Sequence, residues 1–434
     1  MDRSATFSLF VRGLPSRRGF LVSAGLESAL DHLAGFRVTS DDVQDFADAL
    51  GRPPAELRPL LGLAFDGEVR AVPEGRVVFA GEPLLEVTAP LPQAQMVETY
   101  LLNQVSHQTA LASKAARCVL ASAGHPVVDF SLRRTHGPQA GFQAARVGSL
   151  VGFAGTSNVA AATRLNLTAS GTMAHSYIEV FPGEEDAFRA FARTHHGPVA
   201  FLVDTYDTVS GVTTAARVLR ELGRPGCAVR LDSGDLGELA GRARAILDEA
   251  GLPDVRIIAS GGLDEHAIDA LVKGKAPIDV YAVGTRVGTS ADAPYVDSAY
   301  KLVEYDGRPT MKLSSGKVTA PGRKQVFRAP LTTDVIALWD EAPPTGADPL
   351  LRTVMREGSR LGPRDDLAAA HERFVDDVAA LPASARRIRD PEPLEPTVSR
   401  RLAALTGTVR RDLEARLLGG PGHGGTWKRQ ADPT

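Results

Sequence analysis

Residues 228–286 read AVRLDSGDLGELAGRARAILDEAGLPDVRIIASGGLDEHAIDALVKGKAPIDVYAVGTR. Three apolar runs, Ala228–Leu231, Val255–Ala259 and Val280–Val283, each stop at a polar or glycine-rich segment: DSGD, SGG and GTR. A helical stretch, Gly237–Ala250, separates the first two. Parallel strands need a crossover, and a helix supplies it, so strand, polar loop and helix in series is the form of a βα unit. The unit recurs upstream: Val127–Phe130 before SLRRTHG, Leu150–Ala154 before GTSN, and Val199–Val203 before DTYD, with Gly211–Leu222 as a further crossover helix. The repeats predict an α/β fold, an irregular βα (TIM-like) barrel whose active site lies in the loops after the strands. A doubly wound open sheet would give the same alternation, so periodicity leaves closure open.

The flanks have a different texture. Phe7–Val11 and Phe20–Val22 alternate as strands do, and Leu26–Ala34 and Ser40–Leu50 carry helical periodicity. Gly67–Glu86 reads as short strands broken by Pro-Glu-Gly and Gly-Glu-Pro turns, and a long helix follows from about Gln93 to Ala123. After the barrel region, Lys301–Gly322 is strand-rich, and charged helices such as Ser399–Leu418 follow proline-rich connectors. The Gly-rich polar tail 419–434 is expected to be disordered.

A formal charge of −3 gives no ground for a nucleic-acid or membrane-surface partner. The N-terminus lacks a signal-peptide pattern and no run of about 18 apolar residues occurs, so a soluble cytoplasmic protein is expected. Cys118 and Cys227 are too few for a disulfide framework and read as small buried residues. No Cys/His spacing resembles a zinc site, so no direct protein ligands to a metal are expected.

The strand-end loops offer cations, hydroxyls, glycines and carboxylates, the set that a phosphorylated sugar with Mg2+ requires. Ser260-Gly261-Gly262 and Gly284-Thr285 follow the last two apolar runs, where barrels commonly bind phosphate through backbone amides. Arg133, Arg134 and Arg230 are candidate clamps for carboxylate or phosphate, with surface ion pairing as the alternative. Asp232 and Asp235 suit ribose hydroxyls or a Mg2+ water shell, unless Ser233 or Asp235 simply caps the next helix. His175, in GTMAHSY, is either structural or a nucleophile; the second reading needs a neutral imidazole oriented by a carboxylate, with Asp204 and Asp207 the candidates. His195 and His196 read as exposed loop residues.

These motifs resemble the nicotinate phosphoribosyltransferase family, among the type II phosphoribosyltransferases. The resemblance runs from about Phe7 to Arg328 and rests on nine ordered motifs: ETYLLNQVSHQTALASKAAR, DFSLRRTHGP, GTSNV, GTMAHS, LVDTYDT, VRLDSGDL, IIASGGLDE, AVGTRVGTS and KLSSGKVTAPGRKQVFR. It implies two domains: the barrel at 125–300, and a second α+β domain built from both chain ends. That second domain would comprise 1–124 with the return strands and helices of 301–418. It also implies a homodimer with active sites at the subunit interface.

The implied substrates are nicotinate and phosphoribosyl pyrophosphate, with ATP as co-substrate and Mg2+ as cofactor. By resemblance, His175 is the histidine that ATP phosphorylates and Asp204 the carboxylate that holds its ring. Phe130 stacks on the pyridine, and Thr172 and Arg230 contact nicotinate. Arg133, Gly262, Gly284 and Thr285 bind the phosphoribosyl group, Asp232 a ribose or Mg2+-bound water, and Lys312, Lys317 and Lys324 a cationic loop over the phosphates. Ser157 stands where nicotinamide-specific relatives carry an aspartate, which favours the acid over the amide. Quinolinate phosphoribosyltransferases lack the GTMAHS motif. Family members also open with a segment resembling TDLYELTM, whose tyrosine stacks on nicotinate in the neighbouring subunit. This sequence starts downstream of it, so the expectation is either a truncated chain start or a protein that lacks half of its ring sandwich and is a catalytically weakened homologue.

Overall fold

The computed structural model describes residues 3–314, 319–329 and 333–417. Its centre is a six-stranded sheet in the order Gly155–Thr156, Val127–Asp129, Val280–Val283, Arg256–Ala259, Ala228–Leu231, Ala200–Leu202. Every neighbouring pair is parallel. The strands are short and dominated by Val, Ile, Ala and Leu, as sheets covered by crossover helices require. Helices Thr208–Leu222, Leu236–Glu249 and Glu265–Lys273 each start on an aspartate N-cap, Asp207, Asp235 and Asp264, placed in the loop after a strand.

This α/β sheet curls into a half-barrel, and on the closure that periodicity left open, hydrogen bonds among the described residues do not complete a TIM-like ring. Among the described residues no ladder joins the edge strands Gly155–Thr156 and Ala200–Leu202. The Gly155–Thr156 edge carries only a single parallel bridge, Thr156 to Ala169. One apolar run also departs from its expected role. Leu150–Ala154 is no strand: helix Pro138–Leu150 ends there, Gly152 turns at φ 99°, and Leu150, Val151 and Phe153 fill the core. The strand is the next two residues, where Thr156 replaces hydrophobicity with a buried hydroxyl.

A seven-stranded antiparallel sheet stands beside it. Its order is Arg308–Pro309, Ser298–Tyr305, Ser4–Val11, Pro83–Pro90, Glu68–Ala71, Arg352–Arg356, Ser359–Arg360, so its strands come from both ends of the chain. Two large apolar cores result. One gathers Phe201, Val229, Ile257, Tyr281 and Val283 under the crossover helices; the other gathers Phe7, Leu9, Val69, Leu85, Val87 and Tyr300. The helix Glu98–Ala121 serves both, with Leu101 and Val105 in the second core and Leu111, Ala115 and Cys118 in the first. Cys118 and Cys227 are free and buried.

Lys324 belongs to this packing and not to a phosphate loop, which corrects the expectation from resemblance. It opens the strand Lys324–Arg328, and its ammonium donates to the carbonyls of Ala320 (3.2 Å) and Gly322 (2.8 Å). Glu86 lies 3.4 Å away and also holds Arg70, so the lysine completes a buried charge group. Burial pulls its pKa below the ordinary lysine value. Replacing Lys324 with Met strands two carbonyls and leaves Glu86, among the described residues, with Arg70 as its one ion-pair partner, while the amide of residue 324 still donates to it. We expect a loss of about 2–4 kcal/mol, read from the midpoint of urea unfolding. A change within about 0.5 kcal/mol would mean an exposed, loop-borne lysine instead.

Candidate active site

The carboxyl ends of the parallel strands open into a cleft of about 600 Å3. Phe130 and Arg133 follow the first strand, Ser157 the second, and Thr172 and His175 the segment beside it. Arg230 and Asp232 come from the end of Ala228–Leu231, Gly262 from the loop after Arg256–Ala259, and Gly284 and Thr285 from the loop after Val280–Val283. Ten of the residues singled out in the sequence therefore line one cavity.

Arg230 organises it. Its Nε donates to Ser260 Oγ (2.8 Å), one Nη to Thr172 Oγ1 (2.8 Å) and the other to Asp232 Oδ1 (2.6 Å). The guanidinium carbon lies 5.4 Å from the centre of the Phe130 ring. Ser260 also contacts Asp232 Oδ1, at 2.5 Å, so two neighbouring strand ends and the Thr172 segment are fixed to one another through hydrogen bonds. Burial would raise the Asp232 pKa, but Ser260, Arg230 and the nearby His175 outweigh it and hold the carboxyl below its ordinary value. At neutral pH Asp232 is a carboxylate facing the cleft.

His175 starts the short helix His175–Glu179. Its Nδ1 lies 3.1 Å from Thr205 Oγ1, which leaves Nε2 on the side of Asp232, 3.8 Å from Oδ2. The expected partner Asp204 is engaged elsewhere: its Oδ2 accepts from the Asp232 amide (2.9 Å) and the Ser233 hydroxyl (2.6 Å). Side chains alternate along an extended chain, so Asp204 and Thr205 point apart, and the hydroxyl is the one that meets the ring. Asp207 and Asp235 accept from amides in the first turn of their helices, so the capping reading holds for Asp235, and Asp207, a candidate to orient the ring, caps a helix instead. The helix after Ser157 is capped by Asn158, which accepts from Ala161 N; Ser157 is free of that duty and lines the cleft.

Other expectations fare differently. Lys312 is exposed and does not line the cleft, and Lys317 lies outside the described residues, as does the tail 419–434. Arg134 is exposed and outside the lining, and His195 and His196 are exposed. Two contributors were missed. Asp129, buried, accepts from Ser131 N (2.9 Å) and Thr156 Oγ1 (2.7 Å), tying the loops after two adjacent strands. A carboxylate inside the apolar run VVDF was the available signal, since a buried charge implies partners. Thr205 carried no such signal, because a threonine at a strand end is common.

The model of the nicotinate phosphoribosyltransferase (NAPRTase) N-terminal domain matches residues 1–106, and that of the nicotinate phosphoribosyltransferase (NAPRTase) family matches residues 126–290. The chain is 45% identical over 398 residues to the nicotinate phosphoribosyltransferase pncB2 of Mycobacterium tuberculosis, covering 90% of this chain and 85% of that protein. It is 30% identical to human nicotinate phosphoribosyltransferase, covering 94% of this chain and 92% of the human one. The chain belongs to the nicotinate phosphoribosyltransferase family. The crystal structure of human nicotinic acid phosphoribosyltransferase superimposes with a TM-score of 0.83 at 29% identity, over 94% of this chain and 96% of that one. Every cleft residue from Phe130 to Thr285 falls inside the span matched by the family model, whereas Lys312 and Lys324 fall beyond it. Among the described residues no helix is long and apolar enough to cross a membrane.

The glycines of the cleft are not equivalent. Gly261 has φ 89°, and a Cβ there would sit 1.8 Å from the carbonyl oxygen of Asp232. Gly262 has φ 68°, with open space around its Cβ position. Gly261→Ala must displace the strand end that carries Asp232, and should lower stability by about 3 kcal/mol or more. Gly262→Ala meets backbone strain alone, about 1–2 kcal/mol. Thermal unfolding of the two variants checks the order; equal losses would contradict the close approach.

Proposed function

We propose that this chain joins nicotinate to phosphoribosyl pyrophosphate, releasing pyrophosphate and nicotinate mononucleotide for NAD salvage. The observation that carries the reading is the position of Arg230. Its guanidinium carbon lies 5.4 Å from the centre of the Phe130 ring, and its Nε donates to Ser260 of the first glycine loop. An aromatic face beside a fixed guanidinium suits a flat ring bearing a carboxylate, with Thr172 on the same guanidinium. Backbone at Gly262, Gly284 and Thr285, with Arg133, suits the phosphoribosyl group.

The pyridine nitrogen attacks the anomeric carbon as the bond to pyrophosphate breaks, and that oxygen leaves with the electron pair. Positive charge develops on the ribose, so the protein contributes alignment and charge stabilisation. Asp232, ionised and at the cleft wall, fits the ribose hydroxyls or the water shell of Mg2+. Mg2+ accompanying the pyrophosphate would neutralise the charge of the leaving group. We assign ATP coupling to His175: with Nδ1–H donated to Thr205, Nε2 keeps its lone pair for the γ-phosphorus, and ADP departs. The wider proposal is a cytoplasmic homodimer with interface active sites. Its barrel domain is 125–300, and its second domain joins 1–124 to 301–418.

Incubation with phosphoribosyl pyrophosphate, Mg2+, ATP and each of nicotinate, nicotinamide and quinolinate tests the reading. Nicotinate mononucleotide should be the main product; preferential use of either other base would sink the assignment. His175→Ala should abolish nicotinate-dependent ATP hydrolysis and leave only slow ATP-independent synthesis, and retained coupling would remove the histidine from the mechanism. Ser157→Asp puts a like charge against the substrate carboxylate and should weaken nicotinate by about tenfold or more. An unchanged preference for acid over amide would show that Ser157 does not select.

A further inference from the structure

Beneath the two glycine loops lies a buried group of five charges. Glu265 begins the helix Glu265–Lys273 directly after the first loop, and Asp292 follows the helix Thr285–Gly288 that continues the second. Each carboxylate has an arginine of its own. Arg117 Nε meets Glu265 Oε1 at 3.0 Å, and the same guanidinium donates to the Ile388 carbonyl at 2.6 Å. Arg18 meets Asp292 through Nε and Nη2, both at 3.1 Å, and reaches Ser290 Oγ at 2.6 Å. Lys114, on the long helix Glu98–Ala121, meets both: its Nζ is 2.5 Å from Glu265 Oε2 and 2.9 Å from Asp292 Oδ1. The side chains of Arg18, Lys114, Arg117 and Glu265 are all under 5% exposed and that of Asp292 is 8% exposed. Three cations therefore face two carboxylates, and one positive charge is in excess.

We propose that Lys114 is a positioning residue for phosphoribosyl pyrophosphate, a buried joint between the two glycine loops. The proposal rests on the function assigned above, in which those loops bind the phosphates. On the outer rim the loops are also linked by Arg286 and Asp264, 2.6 Å apart, but Arg286 is half exposed there, where an ion pair is weak. In the interior, Arg117 holds one loop and Arg18 the other, and only Lys114 touches both carboxylates among the described residues. Its removal leaves neither carboxylate without an arginine, so the chain should still fold. What is lost is the fixed separation of the loops and the excess positive charge under them. A bisubstrate site is sensitive to such shifts: a displacement of about 1 Å can cost orders of magnitude.

Calorimetric titration of the full chain with phosphoribosyl pyrophosphate and Mg2+, and separately with nicotinate, tests this. Lys114→Met should weaken phosphoribosyl pyrophosphate by about tenfold while nicotinate affinity stays within about twofold. Equal weakening of both ligands would show a merely structural lysine, and unchanged phosphoribosyl pyrophosphate affinity would remove any role; either result overturns the proposal. Should Lys114→Met fail to accumulate as folded protein, Lys114→Gln takes its place in both titrations, with the same shifts expected and the same results overturning the proposal. A wild-type chain that binds no phosphoribosyl pyrophosphate would overturn the functional reading and the proposal together, whereas normal wild-type binding with an unaffected variant overturns the proposal alone.

Discussion

A guanidinium at the end of a strand buried on both faces has to be satisfied by groups that the sheet itself brings near. Arg230 meets that condition with Ser260 from the neighbouring strand end, Asp232 from its own and Thr172 from across the cleft. Because each partner comes from a different segment, the requirement of one charge fixes the relative placement of three loops. Asp129 does the same on the other side, joining Ser131 and Thr156. Parallel pairing makes this possible: all strands end at one edge, so polar side chains at strand ends meet each other and not the core.

The curvature of the sheet follows from its edges. A ring would need the Ala200–Leu202 strand to pair across to Gly155–Thr156, yet the chain between them, carrying Thr172 and His175, forms no strand there beyond the single bridge at Ala169. The half-barrel thus leaves room for His175 to stand at the cleft, supported by Thr205 from the next strand end. The long helix Glu98–Ala121 passes under both cores and carries Lys114 and Arg117 to the back of the glycine loops. Structure far from the cleft in sequence is in this way coupled to its geometry.

Much of this could be read from residues alone, and the parts that could not have physical causes. Alternation of apolar runs with polar loops marked five of the six parallel strands, because buried strands must be apolar and their ends need not be. The sixth, Gly155–Thr156, is two residues long and its polar side chain is satisfied by Asp129, so no hydrophobic signal exists for it. The cleft residues were legible because cations and glycines at strand ends are distinctive. Hydrogen-bond partners were not: Asp204 was expected at the imidazole, but a one-residue alternation along the strand end decides that Thr205 gets there. Lys324 was misplaced because a cation-rich segment looks the same in sequence whether its lysine is solvated or folded back onto carbonyls and Glu86.

The central claim is that Arg230 reads the carboxylate of the base. Titration of nicotinate and nicotinamide into the wild-type chain and into Arg230→Gln, with phosphoribosyl pyrophosphate as a third ligand, tests it most directly. The account predicts a wild-type preference for the acid of about tenfold or more, its collapse in the variant, and a smaller loss of phosphoribosyl pyrophosphate affinity, because Ser260 loses the Nε–H that it accepts from Arg230. An Arg230→Gln protein that still prefers nicotinate by the wild-type margin would contradict it.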